Sequence, residues 1–299
     1  MLEPSGLYQV EYEGDPADAG ARVLIATIGG LVDAGQVARQ ISSHLRNNLP
    51  NEVVARFDVD QLLDYRARRP PMTFDRDRYT DVEQPEILLH RLVDQEGTPF
   101  LVLDGPEPDY QWNRGVEAVL ELVEDFDVDL TVFVHGLPMG VPHTRPLWIT
   151  KHATSSRLIP DNQPVFGNLK TPGSFTGLLE LRLGEEGRDA IGLSVHVPHY
   201  LAQAEMPGAA VTGLDAVIAA TGLALPTTAL EVAAGVARAA LDAELADSPE
   251  VSEVVAALEE QYDQFVAGLG TAPLPRMADL PTADEIGAEV ERFLRTQEE

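Results

Sequence analysis

Between Asp129 and Pro146 the chain reads DLTVFVHGLPMGVPHTRP, and this stretch restricts the possible folds most strongly. Leu130 to Val134 is a short, unbroken apolar run with β-branched and aromatic residues, the composition of a strand covered on both faces. Gly136, Pro138, Gly140 and Pro142 then predict that the backbone leaves the ladder. The loop so formed carries His135, His143, Thr144 and Arg145 just past the strand's carboxyl end, where open α/β sheets hold their ligands.

Other strands surround it in the chain. Arg22 to Ile28 is a buried-type strand that runs into Gly29 and Gly30, and Val37, Ile41 and Leu45 then recur at helical spacing with Asp33 as the N-cap. The two glycines permit a tight turn or close approach to a ligand, but they form neither a GxGxxG nor a Walker pattern. Glu52 to Asp58, Glu86 to Val93 and Pro99 to Leu103 read as further strands. The last stops at Asp104-Gly105-Pro106-Glu107-Pro108-Asp109, a loop dense in carboxylates and breakers, and a helix follows from about Asn113. Three strand–loop–helix units before residue 130 predict a mostly parallel or mixed sheet flanked by helices.

Beyond the central stretch, Leu147 to Thr150 reads as a short strand, Phe175 to Leu183 as helix or strand, and Ile191 to Val197 as a strand ending in Pro198-His199-Tyr200. From Ala209 the texture changes to helical stripes over 209–222 and 226–246 and at Val251, Val254, Val255, Leu258, Tyr262 and Phe265. A Pro and Gly break at Gly268 to Pro275 precedes a last amphipathic helix near Thr282 to Leu294. The expected division is an α/β domain over 1–222 and a helical extension over 223–299.

Composition narrows the function. With 49 acidic and 21 basic residues the net charge is −28, which repels phosphate backbones and argues against nucleic acid. Zero cysteines exclude disulfides and thiolate chemistry. No segment is apolar and long enough to span a bilayer, and the first residues show no export signal, so a cytoplasmic protein without membrane partners is expected. Basic residues are nearly all Arg, the usage that GC-rich codons produce.

Two readings of the strand-end loops stay open. Phosphorolysis-type chemistry needs an anion cradle, a carboxylate for a base and a His near a sugar. Gly29, Gly30, Asp33, Asp104, Glu107, Asp109, His135, His143, Thr144, Arg145 and His199 supply those types. The alternative is shape: such residues cap helices and satisfy loop amides, and Arg145 would pair with Glu107 or Asp109. Arg66, Arg68 and Arg69 either hold an anion or make an interface. Lacking HExxH or a compact carboxylate pairing, the histidines predict no metal, and no cofactor is expected.

Four segments carry a resemblance: YRARRP at Tyr65 to Pro70, GPEPDYQW at Gly105 to Trp112, VPHTRP at Val141 to Pro146 and VPHY at Val197 to Tyr200. In this order and spacing the chain resembles the proteasome assembly chaperone 2 family, in its long actinobacterial branch, over roughly residues 20 to 265. The resemblance implies a fold similar to that of nucleoside phosphorylases and hydrolases, assembly into a homo-oligomer, and a protein-binding or assembly role of unsettled activity. A nucleoside-like small-molecule binder or hydrolase is the alternative. Chaperones of the family that dock on the proteasome α-ring carry a terminal hydrophobic–tyrosine–any-residue tail. This chain reads Arg295-Thr296-Gln297-Glu298-Glu299 there, so docking by that route is not expected.

Overall fold

The computed structural model describes residues 2–30, 32–160, 162, 164, 167–246 and 249–268. In chain order the elements are β1 (Tyr8–Val10), β2 (Val23–Gly29), α1 (Val37–Asn48), β3 (Asn51–Phe57), α2 (Val59–Leu62), β4 (Met72–Asp75), β5 (Arg78–Val82), β6 (Leu88–Val93), β7 (Pro99–Pro106), α3 (Trp112–Asp125), β8 (Leu130–Met139), β9 (Ile149–Ala153), α4 (Phe175–Glu185), β10 (Asp189–Pro198), α5 (Pro207–Thr221), α6 (Thr228–Ala246) and α7 (Pro249–Gly268). The helix expected at 282–294 and the break before it lie outside the described residues.

Eight strands form one mixed sheet in the order β1-β3-β6-β7-β2-β8-β10-β9, and β4 and β5 pair separately. The middle four, β7, β2, β8 and β10, are parallel, which is the α/β core expected. β1, β3, β6 and β9 pair antiparallel. The reason is connection length: only Asp94 to Thr98 join β6 to β7, too few residues for a crossover. Asp94 closes that turn, accepting from the amides of Glu96 and Thr98 at 2.9 and 2.7 Å, and its other oxygen accepts from Ala224 at 2.9 Å.

Strand pleat divides the core. Leu24, Ala26, Ile28, Leu101, Leu103 and Phe133 face α3 and α4, whereas Ile25, Val102, Val132, Val134, Leu193 and Val195 face α1 and α5. Phe175 to Glu185 resolves as a helix, entered through Ser174, whose hydroxyl accepts from the Gly177 amide. Helix α1 begins at Val37 after a short turn rather than at Ala34, because Gly35 and Gln36 sit at φ 66° and 54°. Gln36, not Asp33, is therefore the N-cap residue of α1, although the Asp33 side chain reaches across the turn to accept from the Ala38 amide at 2.9 Å.

Two strands run further than expected. β7 continues past Leu103 through Pro106, since β2 pairs with it as far as Gly29↔Pro106. β8 continues past Val134 to Met139, through the glycine and proline expected to end it. Pairing with β2 stops at Phe133, so the extension has β10 alone as a neighbour, and a one-sided strand tolerates proline. Gly136 is there for space: a Cβ would collide with the carbonyl of Ala34 in the β2–α1 turn.

Candidate functional site

The eleven candidate residues do not form one site. Gly29, Gly30 and Glu107 come together: the Glu107 amide donates to the Gly29 carbonyl at 2.6 Å, and a Cβ at Gly30 would touch the Glu107 carboxylate. Glu107 is buried and accepts from the Phe175 amide at 2.6 Å, so its charge sits on the N-terminus of α4. Asp104 lies on the other face of the sheet, paired with Arg46 of α1 at 3.1 Å. Strand pleating is the cause, because Asp104 shares its side with Val102, not with Leu103.

Asp109 turns away from the strand ends altogether. Its two oxygens accept from Arg68 at 2.9 Å and from the Asp64 amide at 2.7 Å, while Arg68 also donates to the Glu107 carbonyl at 2.8 Å. Arg66 and Arg69 remain exposed nearby. The segments YRARRP and GPEPDYQW are thus bonded to each other, and Trp112 closes the second by donating to the Pro108 carbonyl at 2.5 Å.

The loop after β8 is drawn to the helices. Arg145 pairs with neither Glu107 nor Asp109; it makes a two-pronged pair with Asp263 of α7 at 2.8 Å and contacts Glu259 at 3.1 Å. That partner lies 118 residues on, beyond the reach of local patterning. Thr144 donates to Glu259, and Trp148 donates to the Tyr262 hydroxyl at 2.9 Å. His143 is buried, with Nδ1 and its amide both bonded to the Tyr200 hydroxyl at 2.6 and 3.0 Å. Its carbonyl accepts from Arg238 of α6 at 2.5 Å. Burial, then the nearby Arg238 charge, holds its imidazole below the usual histidine range. VPHTRP and VPHY therefore also meet in space. His199 is exposed, its ring edge-on to Tyr200 at 5.5 Å.

His135 stands apart, on β8 rather than in a loop, and it opens into a cavity of about 410 Å³ at the carboxyl ends of β2 and β8, under α4. Of the eleven, only Gly30 and His135 line it. Polar residues outside the eleven line it too, among them Ser194, His152 and Glu180. Ser194 lies 3.1 Å from His135 Nε2, and His152 Nδ1 lies 2.8 Å from Glu180. Burial keeps His135 neutral; it opposes the charge on His152 too, but the Glu180 bond prevails and raises that residue. Behind them His196 Nε2 meets the Thr150 hydroxyl at 2.8 Å, and burial pushes its pKa down to about 4. A signal for these residues exists in the sequence: β10 alternates Ile191, Leu193, Val195, Val197 with Gly192, Ser194, His196, a polar face on a strand otherwise apolar. Among the described residues no three His, Asp or Glu side chains gather as a metal site, and no helix is long and apolar enough to cross a membrane.

Residues 27–245 match the model of the PAC2 family. No curated protein matches the chain. Among solved structures it is similar to a Mycobacterium tuberculosis protein of unknown function, with a TM-score of 0.84 and 42% identity over 90% of this chain and 93% of that one. A Corynebacterium glutamicum protein of unknown function gives 0.81 and 36% over 88% and 98%. A third structure, from M. tuberculosis and described as a proteasome-assembly chaperone homologue, shares the fold at a TM-score of 0.71 with 21% identity over 78% and 99%.

Proposed function

We propose, from the premise that this chain belongs to the PAC2 family, that it is a cytoplasmic assembly factor: an oligomeric α/β body that binds protein partners. Residues 1–222 make that body, and the helices from residue 223 onward extend it. The candidate residues support binding over chemistry. Asp33, Glu107, Asp109, Thr144 and Arg145 are all engaged in bonds that hold one chain segment to another.

One observation carries the reading. Every residue of the β4–β5 hairpin is exposed, including Met72 at 54%, Phe74 at 56% and Tyr79 at 66%. A two-stranded hairpin is marginal by itself, and clustered exposed apolar side chains mark a contact surface. Arg66, Arg69, Arg76 and Arg78 lie in and beside it, in a chain whose net charge is −28. Asp75, Asp77 and Asp81 accompany these arginines, so it is the exposed apolar side chains, not net charge, that fit the arm to another copy of the same body. The fold shared with a proteasome-assembly chaperone homologue makes proteasome subunits the first heterologous partner to test.

Light scattering on the purified chain tests this reading. A mass that is a multiple of 32.4 kDa is expected, falling to a single chain in Phe74→Ser/Tyr79→Ser. A wild-type monomer, or a double variant of unchanged mass, would overturn it.

A further inference from the structure

We propose that the cavity under α4 is a binding site for an uncharged, ring-sized small molecule with a hydrogen-bonding edge, independent of the hairpin and of any protein partner. Its volume, about 410 Å³, lies within the roughly 300–1,000 Å³ typical of ligand pockets. Its walls are Ile28, Val32, Phe133 and Leu137, and its polar groups converge from two adjacent strands, His135 on β8 and Ser194 on β10.

Why a cavity exists here follows from β10. Toward α1 and α5 the strand presents Ile191, Leu193, Val195 and Val197, all buried in one apolar cluster. Toward α4 it presents Ala190, Gly192, Ser194 and His196; the His152 ring fills the space over Gly192, and the hollow opens beside Ser194. Packing alone would be served better by aliphatic side chains on both faces, since burying hydroxyl and imidazole groups costs free energy unless they are bonded. The Ser194–His135 pair satisfies only part of its own capacity: a hydroxyl has one donor and two acceptor positions, and a neutral imidazole one of each.

Charge selects the ligand. Burial disfavours the charged form of His135, and the His152–Glu180 bond at 2.8 Å favours the charged form of His152, matching the Glu180 carboxylate with its own partner. Arg145, the cation expected to hold an anion, is committed to α7. A carboxylate or phosphate would therefore enter an apolar-walled site with no Lys or Arg on its lining among the described residues, and an ammonium would compete with His152 for Glu180. A neutral amide, lactam or heterocycle leaves no charge unpaired there.

Three probes of one size and differing charge test the assignment by methyl NMR titration of the full chain: benzamide, benzoate and benzylamine. Benzamide is expected to shift Ile28 and Leu137 saturably and to bind at least about tenfold more tightly than either charged probe. Ser194→Ala should weaken it about fivefold, the worth of one neutral hydrogen bond. Thr176→Trp, on the first turn of α4 at the cavity lining, should abolish binding by filling the space. If that variant fails to fold by circular dichroism, the mapped shifts and Ser194→Ala decide. Equal binding of all three probes, shifts mapping elsewhere, no saturable binding of benzamide, or a folded Thr176→Trp that still binds would each overturn the proposal. None of these outcomes bears on oligomeric mass, so failure here and failure of the hairpin reading are distinguishable.

Discussion

Lowering the pH from 7 to 5 should strip stability from this fold, with a separable contribution from His196. The imidazole is 5% exposed, and burial lowers its pKa from 6.5 to about 4. Its folded pKa lies below the unfolded value, so the unfolded chain binds the proton more readily throughout the window between them. Stability is therefore full above about pH 6.5 and is lost as the pH falls toward 4. Each pKa unit corresponds to about 1.4 kcal/mol, so the whole shift represents about 3 kcal/mol. Between pH 7 and 5 the two-state linkage expression yields a loss of about 2 kcal/mol from this one residue, before most carboxylates begin to protonate. Urea denaturation at the two pH values, on wild type and on His196→Gln, isolates the contribution. Glutamine keeps a group able to bond the Thr150 hydroxyl but cannot titrate. His90, His135 and His143 shift in the same direction and remain in both proteins. The variant should lose about 2 kcal/mol less than wild type over that interval; equal losses would show that His196 accepts a proton within the fold, and the reasoning would fail.

Gly136→Ala should destabilise by at least about 3 kcal/mol in the same denaturation assay, because its Cβ meets the backbone carbonyl of Ala34 rather than a side chain that can swing away. His90→Leu should raise stability at pH 7 by about 1 kcal/mol, since both ring nitrogens are buried without a hydrogen-bond partner among the described residues; a loss on substitution would point to a hydrogen bond that the histidine makes.

The elements legible in the sequence were those whose burial is uniform. RVLIATI, PFLVL and TVFVH are core strands of a parallel sheet, apolar on both faces, and their composition alone marks them. Their ends were less legible, because termination depends on which neighbour is still paired. Pro138 stops a strand with two neighbours but not one with β10 alone. The site divided along the same line. Gly29, Gly30 and Glu107 meet because β2 and β7 are adjacent. Arg145 and Asp263 meet only because α7 returns to the loop after β8, and no local pattern over either segment specifies the other. Ser194 was hidden differently: a polar residue at alternate positions of a buried strand has the same pattern as a satisfied core hydroxyl.

The four segments that carried the family resemblance form two bonded pairs, and this explains how a sequence can identify its family while leaving its chemistry unsettled. Arg68 of the first segment grips Asp109 and the Glu107 carbonyl of the second; His143 of the third is held by Tyr200 of the fourth. Such loops lack a ladder to satisfy their backbone groups, so side chains of defined length must do it, and their identities become specific for structural reasons. The His143–Tyr200 pair in turn receives Arg238 of α6, while Thr144 and Arg145 receive α7. Specific residues at strand ends are thus consumed in seating helices 95 to 118 positions away. Histidine and arginine beside Pro and Gly have the appearance of an active site in one dimension; in three, His143, Thr144 and Arg145 seat α6 and α7, Glu107 and Asp109 bind Phe175 and Arg68, and the cavity under α4 is lined instead by Ser194 and His135.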